Sequence, residues 1–234
     1  MDTLQIVLLC LCSILAIIFI IARTLKGGIL ALILKTIASF GFVASAIIGV
    51  GIAAPFIDSW PLILIALGLL CGMVGDIILD LKVIYEGNDK YYLNTGMFSF
   101  FIGHVFYIVA LSLLAKDASL ALPLIVTGGI SLVLTVGTIL GGKKMMGLNF
   151  GEFVVPTAAY SFILNFSMIY SLYLAIMGAG MWLMFVGLLL FFASDMVLSF
   201  QYFGGKLHNK PMIAINHTLY YAAQIIIVAC LFLI

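Results

Sequence analysis

Charge is what this sequence has least of. Asp, Glu, Lys and Arg together make up 8% of the 234 residues, against about 25% in ordinary soluble domains. With 65% hydrophobic residues, the chain has too little polar surface to coat a water-soluble fold, and its solvent is expected to be lipid. A net charge of +1 excludes the concentrated basic field that nucleic-acid phosphates require, so no nucleic-acid partner is expected. Cysteine is scarce as well. Cys10, Cys12, Cys71 and Cys230 fall in apolar stretches without C-x-x-C spacing, and read as small polarizable packing residues. The first apolar stretch has an acidic flank (Asp2) and no convincing cleavage site, so it reads as a retained helix rather than a signal peptide. Long loops are also missing. No connection exceeds about a dozen residues, which leaves no soluble domain to carry function.

What the chain does have is apolar runs of spanning length. A helix needs about 20 apolar residues to cross the hydrocarbon core, with its backbone polar groups satisfied internally. On that ruler the sequence predicts an all-α, polytopic transmembrane bundle forming a single membrane domain over residues 1–234. Eight helices are expected near 4–22, 33–54, 61–81, 93–114, 119–140, 153–176, 180–200 and 212–233. Glycine and proline punctuate them. Ala54-Pro55, Trp60-Pro61, Gly141-Gly142-Lys143-Lys144, Gly178-Ala179-Gly180 and Lys210-Pro211 mark the breaks. Residues 23–35 read either as an interfacial helix or as an early start to the second span. Arg23, Lys26, Lys35, Lys82, Lys90, Lys143, Lys144, Lys206 and Lys210 fall on or near one side, and Lys116 alone on the other. The positive-inside rule then puts the basic loops in the cytoplasm and both termini outside. Minimal loops suggest a bacterial inner membrane.

Ionisable residues inside a span cost about 2.5–3.5 kcal/mol each, so they mark functional sites by default. Asp76 in the third span and Asp195 in the seventh lie about five residues from the basic end, roughly 8 Å deep at 1.5 Å per residue. Asp80, one turn beyond Asp76, is expected to be solvated at the interface. The fourth span carries His104 and Tyr107, and the eighth carries His217, Tyr220, Tyr221 and Gln224. Steps of three and four place each set on one helix face, which should line a cavity. Spans three and four give small-Asp-x-x-Leu then His-x-x-Tyr, and spans seven and eight repeat the order. A parallel four-plus-four repeat would bring Asp76 and Asp195 face to face, as sites at repeat interfaces do elsewhere. Tyr85, Tyr91, Tyr92 and Tyr202 read as interfacial aromatics.

The ordered set Lys35-Thr36, Gly75-Asp76-x-x-Leu79, Gly96-x-x-x-Phe100-x-x-Gly103-His104-x-x-Tyr107, Ser194-Asp195-x-x-Leu198 and Tyr220-Tyr221-x-x-Gln224 resembles the YhhN-like lysoplasmalogenase family of eight-span membrane proteins. The resemblance runs from about Lys35 to Gln224. Many members carry Lys-Pro where this chain has Lys35-Thr36, a departure that touches the helix start. The resemblance implies hydrolysis of the vinyl ether of a lysophospholipid (a lysoplasmalogen) to a fatty aldehyde and glycerophosphoethanolamine or glycerophosphocholine. That chemistry needs an acid to protonate the β-carbon and a carboxylate to meet the oxocarbenium ion and activate water, and no metal or organic cofactor. Glycosidases meet the same cation with two carboxyl groups. Asp76 and Asp195 are therefore the expected catalytic pair. His104, Tyr107, Tyr220 and Gln224 are expected to position water and glycerol, and Lys35 to bind the phosphate. The competing reading is a small proton-coupled transporter that uses its intramembrane Asp and His residues as a relay.

Overall fold

The computed structural model describes residues 1–53, 58–85, 87–115, 121–178 and 180–234. Eight long helices follow one another: α1 (Thr3–Leu25), α2 (Gly28–Ala53), α3 (Trp60–Ile84), α4 (Asp89–Leu114), α5 (Ala121–Met145), α6 (Val154–Ile176), α7 (Trp182–Phe203) and α8 (Lys210–Leu233). All eight are long and apolar enough to span a membrane. Residues such as Ile14, Ile17, Ile125 and Val133 leave much of their surface uncovered, as the lipid-facing side of a bundle should.

Local chemistry explains most helix ends. Asp2 accepts from the Gln5 amide while the Gln5 side chain accepts from the Asp2 amide, both at 2.9 Å, a reciprocal cap for α1. Asn209 accepts from the Met212 amide at 3.0 Å, and Pro211 follows inside the first turn of α8. Gly27 and Gly28 both take positive φ, at 65° and 67°. That pair reverses the chain between α1 and α2 within two residues, so residues 23–35 hold the end of α1 and the start of α2. Gly141-Gly142 does not close α5, which continues to Met145. The stop comes at Gly147, with φ of 65°. Ala54-Pro55, Ala179 and Lys116 lie outside the described residues.

Helices α1–α2, α2–α3 and α3–α4 pack in sequence, as do α5–α6, α6–α7 and α7–α8, and α2–α8 has its counterpart in α4–α6. This is the contact pattern of two four-helix halves. The substantial α1–α8 contact has no α4–α5 equivalent of that size among the described residues. The first half is thus closed by α1, and α5 rests mainly on α6.

The α3–α4 seam is built from glycine. A side-chain carbon at Gly75 would stand 2.7 Å from the Phe100 ring, one at Gly96 2.6 Å from Leu79, and one at Gly68 2.3 Å from the Tyr107 ring. Gly103 in turn sits against the Gly68 carbonyl. Each large residue of the Gly75…Leu79 and Gly96…Phe100…Gly103…Tyr107 pattern fills the notch left by a glycine on the facing helix. Much of that motif's spacing is helix packing. It fixes the rotation of α3 and so the direction Asp76 faces.

Candidate functional site

Asp76 is 2% exposed and receives three donors. The Lys35 ammonium lies 3.2 Å from Oδ1. The Ser39 hydroxyl donates to Oδ2 at 2.7 Å and the Tyr220 hydroxyl to the same oxygen at 2.8 Å. Ser39 is one turn beyond Lys35 on α2, so both reach Asp76 from a single face. Tyr221 braces this arrangement, 3.0 Å from the Ser39 hydroxyl and donating to the Lys35 carbonyl at 3.3 Å.

Asp80 departs from the sequence expectation. It is 3% exposed rather than solvated. Lys35 donates to it at 3.2 Å and Arg23 at 3.4 Å. The Gly27-Gly28 reversal explains the difference, because it folds α1 back along α2 and lets the Arg23 side chain reach across to the carboxylate. Lys35 consequently sits between two carboxylates, 4% exposed, rather than at a membrane surface.

Asp195 occupies a simpler setting. The Tyr160 hydroxyl of α6 donates to its Oδ2, and among the described residues no cation reaches it within salt-bridge distance. Its neighbour Ser194 is tied to α8. Asn216 Nδ2 donates to the Ser194 carbonyl and hydroxyl, both at 2.9 Å. Phe100 connects the two centres. Its ring lies 6.3 Å from that of Tyr160 and 6.2 Å from that of Tyr220, so the two Asp–Tyr pairs flank one aromatic side chain.

Asp76 and Asp195 line the same cavity, of about 280 Å³. Its apolar lining comes from Leu79, Leu93, Met97, Phe100, Leu164 and Phe192. The lining also reaches the α1–α2 and α7–α8 turns and includes Arg23, Lys26, His208 and Lys210. The cavity therefore lies toward the end of the bundle that carries the basic loops. Tyr202, read from sequence as an interfacial aromatic, forms part of it, and the Lys82 ammonium sits 4.4 Å from its ring centre.

Of the expected site residues, Asp76, Asp195, Lys35 and Tyr220 meet on this cavity. His104, Tyr107 and Gln224 are not part of its wall. His104 Nδ1 lies 2.9 Å from the Ser167 hydroxyl, with its ring edge-on to Tyr107 and Phe191 at 5.6 and 5.0 Å. It joins α4 to α6. Tyr107 packs over Gly68. Gln224 is fully buried beside Gly72 and the Tyr220 hydroxyl, one turn deeper than the cavity wall. His217 does line the cavity, against the Phe19 ring at 4.9 Å.

Four side chains outside the expected site set belong here: Arg23, Ser39, Tyr160 and Asp80, the last expected at the interface. Two had a signal. Ser39 follows Lys35 at four residues. Thr157, Tyr160, Ser161 and Leu164 form a three-and-four-residue stripe on α6, and all four line the cavity. Among the described residues, no group of three His, Cys, Asp or Glu side chains is placed to hold a metal ion.

The model of the YhhN family matches residues 30–231, which takes in every helix but α1. No curated protein and no solved structure matched the chain.

Proposed function

The chain belongs to the YhhN family, and from that premise we propose that it is a membrane-embedded hydrolase cleaving the vinyl ether of a lysophospholipid. The observation that carries the reading is two buried carboxyl groups, Asp76 and Asp195, on one cavity lined by apolar side chains together with the basic residues of the α1–α2 and α7–α8 turns. In the proposed reaction, one carboxyl protonates the β-carbon of the vinyl ether. The resulting oxocarbenium ion is stabilised by the other, which takes a proton from the attacking water. The hemiacetal then collapses to a fatty aldehyde and the glycerophospho-alcohol, which returns both carboxyl groups to their starting states. Water and two carboxyls suffice, as in glycoside hydrolysis.

The volume suits one chain. At about 280 Å³ the cavity falls just below the roughly 300–1,000 Å³ range of small-molecule sites. It holds a glycerol, a vinyl ether and the first carbons of a single tail. Lys35 is occupied by two carboxylates and Arg23 by Asp80, so in this reading the lipid phosphate meets Lys26 and Lys210 at the mouth. Lys35 instead supports Asp76. The same reading places the basic end, and hence the site, at the cytoplasmic face with both termini outside, following the positive-inside rule. A bacterial inner membrane is the compartment we propose.

The relay that a proton-coupled transporter needs has less support. Beyond Asp76, the buried α3 positions toward the other end, from Gly75 to Pro61, are all glycine, proline or apolar. Beyond Asp195 on α7 they are Ser194, Phe191, Leu188, Gly187 and Met184. None titrates.

The direct test is aldehyde release from lysoplasmenyl-ethanolamine and lysoplasmenyl-choline by purified protein in detergent or nanodiscs. Wild type should release aldehyde. Asp76→Asn and Asp195→Asn should each lower kcat by about 10²–10⁴ on the folded fraction, the usual contribution of a positioned acid or base, and Asp76→Asn should also melt lower because it leaves Lys35 one carboxylate short. Lys26→Gln with Lys210→Gln should raise KM several-fold and leave kcat alone, the mark of uniform substrate binding. Well-folded wild type that releases no aldehyde from either lipid would remove the hydrolase reading.

A further inference from the structure

The two carboxyl groups are not equivalent, and their surroundings divide the work between them. Asp76 shares the Lys35 ammonium with Asp80, and Arg23 also contacts Asp80. Two cations thus face two carboxylates in one buried cluster. That cluster is neutral only when Asp76 and Asp80 are both ionised. A protonated Asp76 would leave it with an uncompensated positive charge in a low-dielectric interior, which is costly. The hydroxyls of Ser39 and Tyr220 both donate to one Asp76 oxygen, which again suits an acceptor-only carboxylate.

Asp195 has none of this. α7 packs against α6 and α8. α6 brings the Tyr160 hydroxyl, and α8 brings Asn216, His217 and Tyr220 to the cavity wall. Across the cavity stand Asp76 and Asp80 with Lys35 and Arg23. No cation contacts Asp195 among the described residues, and a nearby ionised Asp76 opposes a second negative charge on the same cavity. Tyr160 engages Oδ2 only, which leaves Oδ1 for a proton.

Resting on the hydrolase reading above, we propose that Asp195 is the general acid that protonates the vinyl-ether carbon. Asp76 is the standing carboxylate that faces the cation and activates water, and Tyr160 is the positioning residue that aims the acid. Asp195 gives its proton to the β-carbon as the double bond's electrons form the new C–H bond. Asp76 takes a proton from water as the oxygen bonds the former C1 of the alkenyl chain. On collapse, Asp76 returns its proton to the departing glycerol oxygen, and the hemiacetal hydroxyl returns one to Asp195.

The experiment is turnover of lysoplasmenyl-ethanolamine in D₂O, with the aldehyde trapped by reduction and the configuration of the new C–H(D) centre read, alongside pH–rate profiles. Wild type should place deuterium on one face and show a bell-shaped profile. The residual activity of Asp76→Asn should keep facial selectivity and the alkaline limb while losing the acid limb. That of Asp195→Asn should lose facial selectivity and the alkaline limb, and Asp195→Glu should restore both in part. Tyr160→Phe should erode facial selectivity and leave the acid limb in place, which a role confined to packing would not do. If Asp76→Asn scrambles the deuterium and Asp195→Asn does not, the assignment is reversed and the proposal falls while hydrolysis stands. If folded wild type yields no aldehyde, the hydrolase reading falls and takes the assignment with it.

Discussion

A lysine ammonium that is 4% exposed persists in a low-dielectric interior because carboxylates surround it. Removing one member of such a set leaves an unpaired buried charge and costs about 3–5 kcal/mol, while removing a matched pair is often nearly neutral. Lys35→Met should therefore destabilise strongly, and adding Asp76→Asn should recover much of that loss, because Arg23 and Asp80 then remain as a balanced pair. Thermal unfolding in a fixed detergent gives the four corners of the cycle. Strictly additive effects would show that Lys35 and Asp76 are not coupled. The sequence disclosed Asp76 and Asp195 as charged residues in apolar runs. It did not disclose that Lys35 is internal, since distance along the chain from a helix end measures depth only when the helix start is known. α2 begins at Gly28, the early start that residues 23–35 left open, rather than near residue 33, which moves Lys35 inward.

At the scale of helices, the rotation of α3 is set by glycine notches as much as by its polar residues. Gly75→Ala would drive a methyl to 2.7 Å from the Phe100 ring, and overpacking of this kind costs about 1–3 kcal/mol. Phe100 flanks both tyrosines, so the same substitution should lower turnover even where the protein still folds. Gly137→Ala on α5 meets nothing within 4 Å and should change neither. Melting temperature and aldehyde release measured on both variants check this, and equal losses at the two positions would contradict it. Helix number and order were readable because apolar length and proline or glycine punctuation are local properties. Gly141-Gly142 misled, since tandem glycine lowers helix propensity without forbidding helix, and α5 keeps its ladder through both residues. The notches were not readable as such, because a glycine and the ring that fills it lie on different helices. His104 and Tyr107 share a face with Phe100 in sequence, yet the seam turns them toward α6 and α3 instead of the cavity.

For the whole molecule, the two halves make similar contacts, but the charges gather in one of them. α1, α2 and α3 supply Arg23, Lys35, Asp76 and Asp80, and α6 and α7 supply only the Tyr160–Asp195 pair. A repeat that began as two equal halves would end with unequal carboxyls in this way. Which leaflet feeds the cavity depends on orientation, and the described turns allow that to be measured. Lys206, in the α7–α8 turn beside the cavity mouth, and Asp58, between α2 and α3, are both exposed at opposite ends of the bundle. In a background lacking the four native cysteines, Asp58→Cys should react with a membrane-impermeant maleimide added to intact cells, and Lys206→Cys should not. Inverted membrane vesicles should reverse the result. The reverse pattern in intact cells would place the basic loops outside against the charge rule. The cavity would then open to the outer leaflet, and its substrate would have to arrive from there.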